Sequence, residues 1–135
     1  MVKITGEYTG QLHCAARHEP SGTVLATDAP KDNQGKGESF SPTDLIATGY
    51  ATCVVTTLAI VARRNGVELG PLKYEVTKEM TKEAPRRIAR LGLIVWLPSE
   101  ARQLPEDLVR KTAEGCPVHL SLASEVQKEV EFRWL

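Results

Sequence analysis

The chain lacks an excess of charge of either sign. Lys and Arg together number 17, as do Asp and Glu, so the formal net charge is zero over 135 residues. Nucleic-acid-binding domains concentrate Lys and Arg in a patch or stripe, because contacts to phosphate dominate their affinity. No such stripe, acidic tail or basic amphipathic stretch occurs here. We therefore expect no nucleic-acid partner, and little repulsion between copies of the chain.

The sequence also lacks the signals of secretion and contains few cysteines. Residues 1–6 (MVKITG) include neither an apolar run nor a cleavage-site pattern, which predicts a cytoplasmic protein. Three cysteines, an odd number, argue against a secreted disulfide framework. Thiols in a reducing compartment are catalytic, metal-binding or inert, and the three cysteines must be sorted among these roles.

One segment is apolar enough to need a test against a membrane span. Residues 45–62 run for 18 positions without a charge, which is the lower limit for a transmembrane helix. However, four threonines and a glycine dilute its apolarity, and Asp44 and Arg63 flank it closely. We therefore predict no membrane contact, and a helix that is buried on most sides in a soluble core.

The length and the absence of repeats predict a single domain over residues 1–135. Residues 2–16 have the composition of a strand, and residues 23–27 have that of the returning strand of a hairpin. Pro20, Ser21 and Gly22 mark the turn between them, and the polar residues 28–40 predict a loop.

The clearest start of a helix is at Ser41. Ser41 can cap, Pro42 suits the first helical position, and Asp44 supplies a carboxylate in the first turn. The helix should run to about Asn65 and stop at Gly66. Within it, small residues recur at four-residue spacing on one face: Gly49, Cys53 and Thr57.

The second half alternates between strand and helix patterns. Strands are predicted over 72–81, over 87–97 and over 125–134, and the strand over 87–97 is predicted to be central in the sheet. A helix opened at Pro105 and ended at Gly115, followed by a short helical turn from Cys116 to about Leu122, should lie between the last two strands. The order β-β-α-β-β-α-α-β predicts an α+β fold, with mainly antiparallel sheet around one long buried helix.

The local sequence separates the three cysteines. Cys53 lies within the apolar helix, where burial would raise its pKa, so a reactive Cys53 needs a nearby cation or hydrogen-bond donors. Cys116 precedes Pro117 and should lie at a helix N-terminus, which favours a thiolate and makes it the more acidic thiol on local grounds. Cys14 lies in a predicted strand without local activation, and an inert thiol is the simpler interpretation.

Other chemistry has weaker signals. The pairs Cys14 with His18 and Cys116 with His119 have spacings compatible with zinc, but they lack knuckle turns. No Gly-x-Ser-x-Gly nucleophile motif and no phosphate-binding glycine loop occur.

Three blocks of the sequence carry a resemblance to a known family. They are residues 41–53 (SPTDLIATGYATC), residues 115–122 (GCPVHLSL), and the hairpin with HEPSG at 18–22 and TDAP at 27–30. In this order they resemble the OsmC/Ohr family of osmotically inducible and organic hydroperoxide resistance proteins, in its OsmC-like branch. The resemblance implies the OsmC-like α+β fold and an intertwined homodimer with two active sites at the subunit interface.

The resemblance also implies roles for the cysteines. Cys53 would be the peroxidatic residue that attacks the peroxide and becomes a sulfenic acid. Cys116 would be the resolving residue, and its disulfide with Cys53 would be reduced by an external dithiol, of which a lipoyl-type dithiol is one example. The implied activity is a cysteine-based reduction of organic hydroperoxides, extending to hydrogen peroxide, with no metal, flavin or haem cofactor.

The sequence departs from the family at one position. The family's efficient peroxidases hold a thiolate-stabilising Arg with a Glu just after the helix-start Pro, and here that position is Thr43. Asp44 is a potential substitute, although it points about 100° further around the helix. Arg17, in the N-terminal hairpin, is the best match for the Arg. The departure keeps open an alternative, a non-catalytic small-ligand-binding or stress-response module of the same fold.

Overall fold

The computed structural model describes all residues 1–135 and contains two compact units, Met1–Ile46 and Ala47–Leu135. Helix α1, Pro42–Arg64, begins in the first unit and continues through the second. Each unit has its own sheet, and each is described below by itself. The single domain over residues 1–135 stays a prediction.

The first unit is a three-stranded antiparallel sheet in the order β1-β2-β3. The strands are β1 (Ile4–Gly10), β2 (His13–His18) and β3 (Val24–Asp28). The prediction of one strand over residues 2–16 is therefore wrong, because the chain reverses at Gln11 and Leu12. Both residues have positive φ, 52° and 63°, as a tight hairpin turn requires, but neither is the Gly, Asn or Asp that usually marks such a turn.

The second turn of this unit is confirmed. The amide of Gly22 donates to the carbonyl of His18 (2.7 Å), and Gly22 has a φ of +74°. The loop predicted over residues 28–40 is also confirmed, apart from a short 3-10 helix at Lys31–Asn33. The buried carboxylate of Asp28 accepts a hydrogen bond from the Glu38 amide (2.9 Å), which ties the end of the loop to the end of β3. This bond lowers the pKa of Asp28, while burial opposes it and the charge of His13 assists.

Helix α1 begins and ends as predicted. The Asp44 amide donates to Ser41 Oγ (3.1 Å), and the Ser41 amide donates to Asp44 Oδ2 (2.8 Å), so two amides at the helix start are satisfied reciprocally. At the other end Gly66 adopts a φ of +75°, and the Val67 amide donates to the carbonyl of Ala62 (2.9 Å).

The burial of α1 differs from the prediction. Its fully buried residues form one stripe at helical spacing, comprising Ala47, Tyr50, Ala51, Val54, Leu58 and Ala62. Elsewhere Ile46 and Ile60 are 44% and 51% exposed, and a Cβ added to Gly49 would meet no atom within 4 Å. Only one side of the helix is therefore buried, whereas the sequence predicted burial on most sides.

Helix α1 also meets the length and composition criteria for crossing a membrane. Its most apolar 18-residue window has a mean hydropathy of 1.9, and a third of that window is buried. A core helix of a soluble protein meets the same criteria, so this single helix is weak support for a membrane span.

The second unit contains α1 and a sheet in the order β4-β5-β6. Strands β4 (Lys73–Met80) and β5 (Ile88–Leu97) are antiparallel, and β6 (Gln127–Trp134) joins β5 in parallel. The central position predicted for β5 is confirmed. Helices α2 (Glu106–Glu114) and α3 (Pro117–Ser121) lie between β5 and β6 in the chain, and this long connection permits the parallel pairing. The α+β class is confirmed, with one parallel pair among antiparallel ones.

The cap of α1 gives a stability prediction. Ser41→Ala should lower the free energy of unfolding by about 1 kcal/mol, because the Asp44 amide loses its side-chain acceptor. Urea unfolding followed by circular dichroism measures this. The control is Ser124→Ala, whose hydroxyl contacts the neighbouring Glu125 side chain at 3.4 Å. Equal midpoints for the two variants would contradict the capping role.

Candidate active site

Cys116 lies at the junction of two helices in the second unit. Helix α2 ends at Gly115, and Cys116 has the extended conformation of an N-cap, with φ −68° and ψ 142°. Its sulfur accepts a hydrogen bond from the His119 amide (3.3 Å), and Pro117 occupies the first position of α3. The predicted location at a helix N-terminus is therefore confirmed. The whole residue is buried in the core of the unit.

Cys53 lies on α1, half-buried, at the border between the buried stripe and the open side of the helix. It packs against the core, and its sulfur is 4.0 Å from the Thr57 hydroxyl one turn later. The two thiols lie close enough to interact, since the side chain of Cys53 contributes to the raised pKa of the Cys116 thiol. The structure thus brings together the two cysteines that were predicted as a pair.

Burial decides the electrostatics of Cys116. Burial raises the pKa of the Cys116 thiol above its ordinary value, the His119 amide opposes this, and the neighbouring side chain of Cys53 raises the pKa further. The expectation of an acidic Cys116 is therefore wrong. A helix of five residues offers its sulfur only two backbone donors, which do not compensate for the loss of water. The raised pKa favours the protonated form of the Cys116 thiol over the thiolate.

Two further polar groups near the thiols were not identified from the sequence. Tyr50 is fully buried, and burial, with the charge of Cys116 as a second cause, raises its pKa to about 12. Its ring lies 6.3 Å from that of His119, centroid to centroid. Tyr50 Oη and His119 Nδ1 are both buried without a hydrogen-bond partner. Both residues line a cavity of about 150 Å³, where their polar atoms could bind a small oxygen-bearing group.

Local signals for these two residues did exist. Tyr50 is the one aromatic residue between Pro42 and Arg64, and it lies three positions before Cys53. His119 lies three positions after Cys116, and at this spacing a backbone amide donates to the side chain of the N-cap residue. Neither signal distinguishes a residue near a reactive thiol from an ordinary core residue.

Arg17 and Cys14 belong to the first unit. Arg17 Nη1 donates to the Gly22 carbonyl at 3.4 Å, and its Nε lies 3.7 Å from a carboxylate oxygen of Glu19. Cys14 is exposed on β2. The predicted role of Arg17 toward Cys53, and the zinc set formed with Cys14 and His18, stay predictions, because their remaining members belong to the second unit.

The structure gives Asp44 a function in the fold. One of its carboxylate oxygens accepts the Ser41 amide, and Thr43 Oγ1 lies 3.2 Å from the Ser41 hydroxyl. The carboxylate considered as a substitute for the family's Glu is therefore engaged in the cap of α1.

His119 gives a prediction of pH dependence. Burial lowers the pKa of His119, the positive charge of Lys128 assists, and Glu114 opposes. Between this lowered value and the unfolded value of about 6.5, the unfolded chain binds more protons, so stability falls as the pH falls. Thermal unfolding from about pH 7.5 to about pH 5.5 should show this loss, and His119→Gln should reduce it. The matched His18→Gln variant should retain the wild-type slope; an equal slope in all three proteins would contradict the prediction.

Comparison with known proteins supports one family. Residues 35–131, which contain both Cys53 and Cys116, match the family model described as OsmC-like protein. The sequence of a proposed osmotic stress induced and detoxification response protein from Psychrobacter arcticus 273-4 is 35% identical to that of this chain. Its crystal structure superposes on this structure with a TM-score of 0.88, and the superposition covers 98% of this chain and 96% of the other.

Curated relatives are more distant. The uncharacterised protein YmaD of Bacillus subtilis strain 168 is 25% identical over 137 residues, covering 95% of this chain and 90% of its own. Organic hydroperoxide resistance protein-like 2 of Staphylococcus epidermidis is also 25% identical, over 79% of this chain and 76% of its own. The family match over most of the chain, and the superposition over nearly all of it, show that the chain belongs to the OsmC-like protein family.

Proposed function

We propose that the protein is a thiol-dependent peroxidase that reduces organic hydroperoxides through Cys53 and Cys116. The observation that carries the proposal is that a half-buried thiol and a fully buried thiol are neighbours in the core of one unit. The family is associated with organic hydroperoxide resistance, as the name of the Staphylococcus epidermidis relative states. A cytoplasmic location, where thiols are kept reduced, fits this proposal.

The first step forms a sulfenic acid. The Cys53 thiolate attacks the outer oxygen of the hydroperoxide, an S–O bond forms and the O–O bond breaks. The leaving alkoxide takes up a proton and departs as the alcohol. Cys53 is suited to this step because it lies half-buried at the edge of the core, where a substrate can reach it, with Cys116 as its neighbour.

The second step closes a disulfide. The Cys116 sulfur attacks the Cys53 sulfenic acid, an S–S bond forms, and the S–O bond breaks as hydroxide leaves. The proton of Cys116 converts that hydroxide to water, so two thiols and one hydroperoxide give a disulfide, an alcohol and water. An external dithiol, such as a lipoyl-type dithiol, then reduces the disulfide and is itself oxidised. The cycle uses no metal, flavin or haem.

Activation of Cys53 requires a group beyond Cys116. Within the proposal Arg17 supplies the positive charge that favours the thiolate, as the resemblance implies. Thr43 cannot hold that guanidinium as a carboxylate would, which should make this protein a slower peroxidase than relatives with Glu at the position. Arg17→Met tests this role through the rate of the first oxidation.

Association of two chains is the second part of the proposal. The open side of α1 presents Ile46, Gly49 and Ile60, and the chain carries no net charge to oppose contact. Gly49, which has no side chain and open space beside it, allows the backbone of another element to come close. The exposed apolar residues of β1 and β3, among them Ile4, Tyr8 and Val24, also favour a partner. We propose a homodimer.

A non-catalytic function is the alternative. The cavity beside Tyr50 and His119, of about 150 Å³, could hold a small ligand without any redox change. Thiols that stay reduced when hydroperoxide is added would favour this function.

The dithiol chemistry is tested by mass. One equivalent of cumene hydroperoxide should remove two hydrogens from the reduced protein and link Cys53 to Cys116. Cys53→Ser should abolish both the mass change and dithiol-dependent turnover. Cys116→Ser should gain one oxygen on Cys53 and stop after a single turnover, because no disulfide can form.

The matched control is Cys14→Ser, which removes an exposed thiol outside the pair and should keep full turnover. Wild-type turnover in Cys53→Ser would reject the assigned role. An unchanged wild-type mass after peroxide would reject the peroxidase proposal as a whole.

The dimer is tested through α1. Ile60→Asp places a charge on the open side of the helix, and we expect it to shift the molar mass measured by light scattering from two chains to one. Lys82→Asp, at an exposed turn, changes the charge in the same direction and should leave the mass unaltered. A monomeric wild-type protein would contradict the proposal.

A further inference from the structure

Three potential metal ligands converge in the first unit, outside the dithiol site. His13 begins β2 and stands directly opposite Asp28, the last residue of β3, in the sheet register. Glu38 reaches the same point from the loop that follows. His13 Nε2 is 3.5 Å from Asp28 Oδ1 and 3.5 Å from Glu38 Oε2, and the three ligand atoms all lie within 4.8 Å of one another.

The imidazole of His13 is oriented for coordination. Its Nδ1 is 2.8 Å from the carbonyl oxygen of Gln11, which can only accept a hydrogen bond, so Nδ1 carries a proton. In the neutral ring the lone pair is then on Nε2, the atom that faces the two carboxylates. Metal-binding histidines are held in this way, with the second ring nitrogen donating to a carbonyl or a carboxylate.

Asp28 supplies the independent observation. The residue is 1% exposed, and its Oδ2 accepts the Glu38 amide at 2.9 Å. Its other oxygen, Oδ1, is buried without any hydrogen-bond partner, and it is the atom that faces His13. A buried carboxylate oxygen left without a donor is costly, so the site is incomplete as a purely protein arrangement.

Glu38 closes the group from the solvent side. Its carboxylate is about half exposed, with Oε2 toward His13 and Oε1 4.0 Å from Lys36 Nζ. The contact with Lys36 is long and exposed, so it leaves Oε2 available to a stronger partner. Glu38 therefore connects the loop to the sheet through two contacts: its backbone amide donates to Asp28, and its carboxylate lies beside His13.

We propose that His13, Asp28 and Glu38 bind a Zn²⁺ ion, with water in the fourth position. Zinc bonds to imidazole nitrogen and carboxylate oxygen measure about 2.0–2.2 Å, which places the ligand atoms of a tetrahedral site about 3.3–3.6 Å apart. The two separations of 3.5 Å from His13 Nε2 agree with this spacing. Mg²⁺ and Ca²⁺ prefer all-oxygen sites, so the nitrogen ligand disfavours them.

The ion would have a definite structural effect. It would join the start of β2, the end of β3 and the loop over residues 28–40 at one point, and it would satisfy the buried oxygen of Asp28. Because it binds the folded state, it should raise the unfolding temperature as its concentration rises. The site contains none of the three cysteines and is independent of the proposed peroxidase activity.

Titration with Zn²⁺ tests the proposal. The full-length protein with all three cysteines changed to serine removes any contribution from thiols. We expect one Zn²⁺ per chain, measured by competition with a chromophoric chelator, and a higher melting temperature in Zn²⁺ than in EDTA. His13→Gln and Glu38→Gln, at partly exposed positions, should each weaken binding at least about tenfold and remove the thermal shift.

The controls use the same sheet. His18→Gln changes another histidine of β2, and Glu7→Gln changes an exposed carboxylate of β1, and both should bind as the parent does. Asp28→Asn should also abolish binding; circular dichroism checks that this buried change keeps the fold. Absence of Zn²⁺ binding by the parent would overturn the proposal. Binding that survives His13→Gln would overturn it as well.

Discussion

The core shared by helix α1 and strand β5 is the constraint on which the candidate active site depends. Alternate side chains of β5 and one stripe of α1 belong to the same buried cluster, which also includes Cys116. Rotation of the helix about its axis is fixed by that stripe, so Cys53 must lie at its border. The same packing buries the junction of α2 and α3, where Cys116 lies. The positions of both thiols are therefore set by the core residues around them, and the two thiols become neighbours.

Burial also controls the chemistry of the pair. The backbone donors at the start of α3 would favour a thiolate at Cys116 in water, yet burial raises the pKa of this thiol because the charged form loses its hydration. A buried thiol that keeps its proton is a poor first nucleophile and a suitable hydrogen-bond donor. The half-buried Cys53 has the better access. The order of reactivity in the proposed cycle follows from this difference in burial, and not from the local helix geometry.

A single chain leaves apolar surface exposed on the first sheet and on α1, and contacts that cover this surface would stabilise the protein. The sheet of the first unit has few buried side chains, and α1 exposes apolar residues on the side away from its core. A small unit with so little buried apolar area gains stability from any contact that covers it. In the proposed dimer a second chain provides that cover, and in the proposed zinc site a metal ion fixes the loop of the first unit. Both proposals concern parts of the chain that lie outside its hydrophobic core.

Much of this protein was determined by local sequence. The cap of α1 at Ser41, its end at Gly66, the helical turn after Cys116 and the central strand β5 could all be predicted, because each depends on residues a few positions apart. The resemblance carried by residues 41–53 and 115–122 led to the correct family. The hairpin at Gln11 and Leu12 was missed because no glycine or asparagine marks its positive φ angles.

Only the tertiary structure decided the properties that depend on distant residues. It showed that α1 is buried on one side, that Cys116 is too well buried to be acidic, and that Asp44 is engaged in the helix cap. It also revealed Tyr50 and His119 beside the thiols, and His13, Asp28 and Glu38 at one corner of a sheet. Hydration and the meeting of side chains from separate elements are set by packing. A short sequence window contains the residues involved, but it does not contain their neighbours.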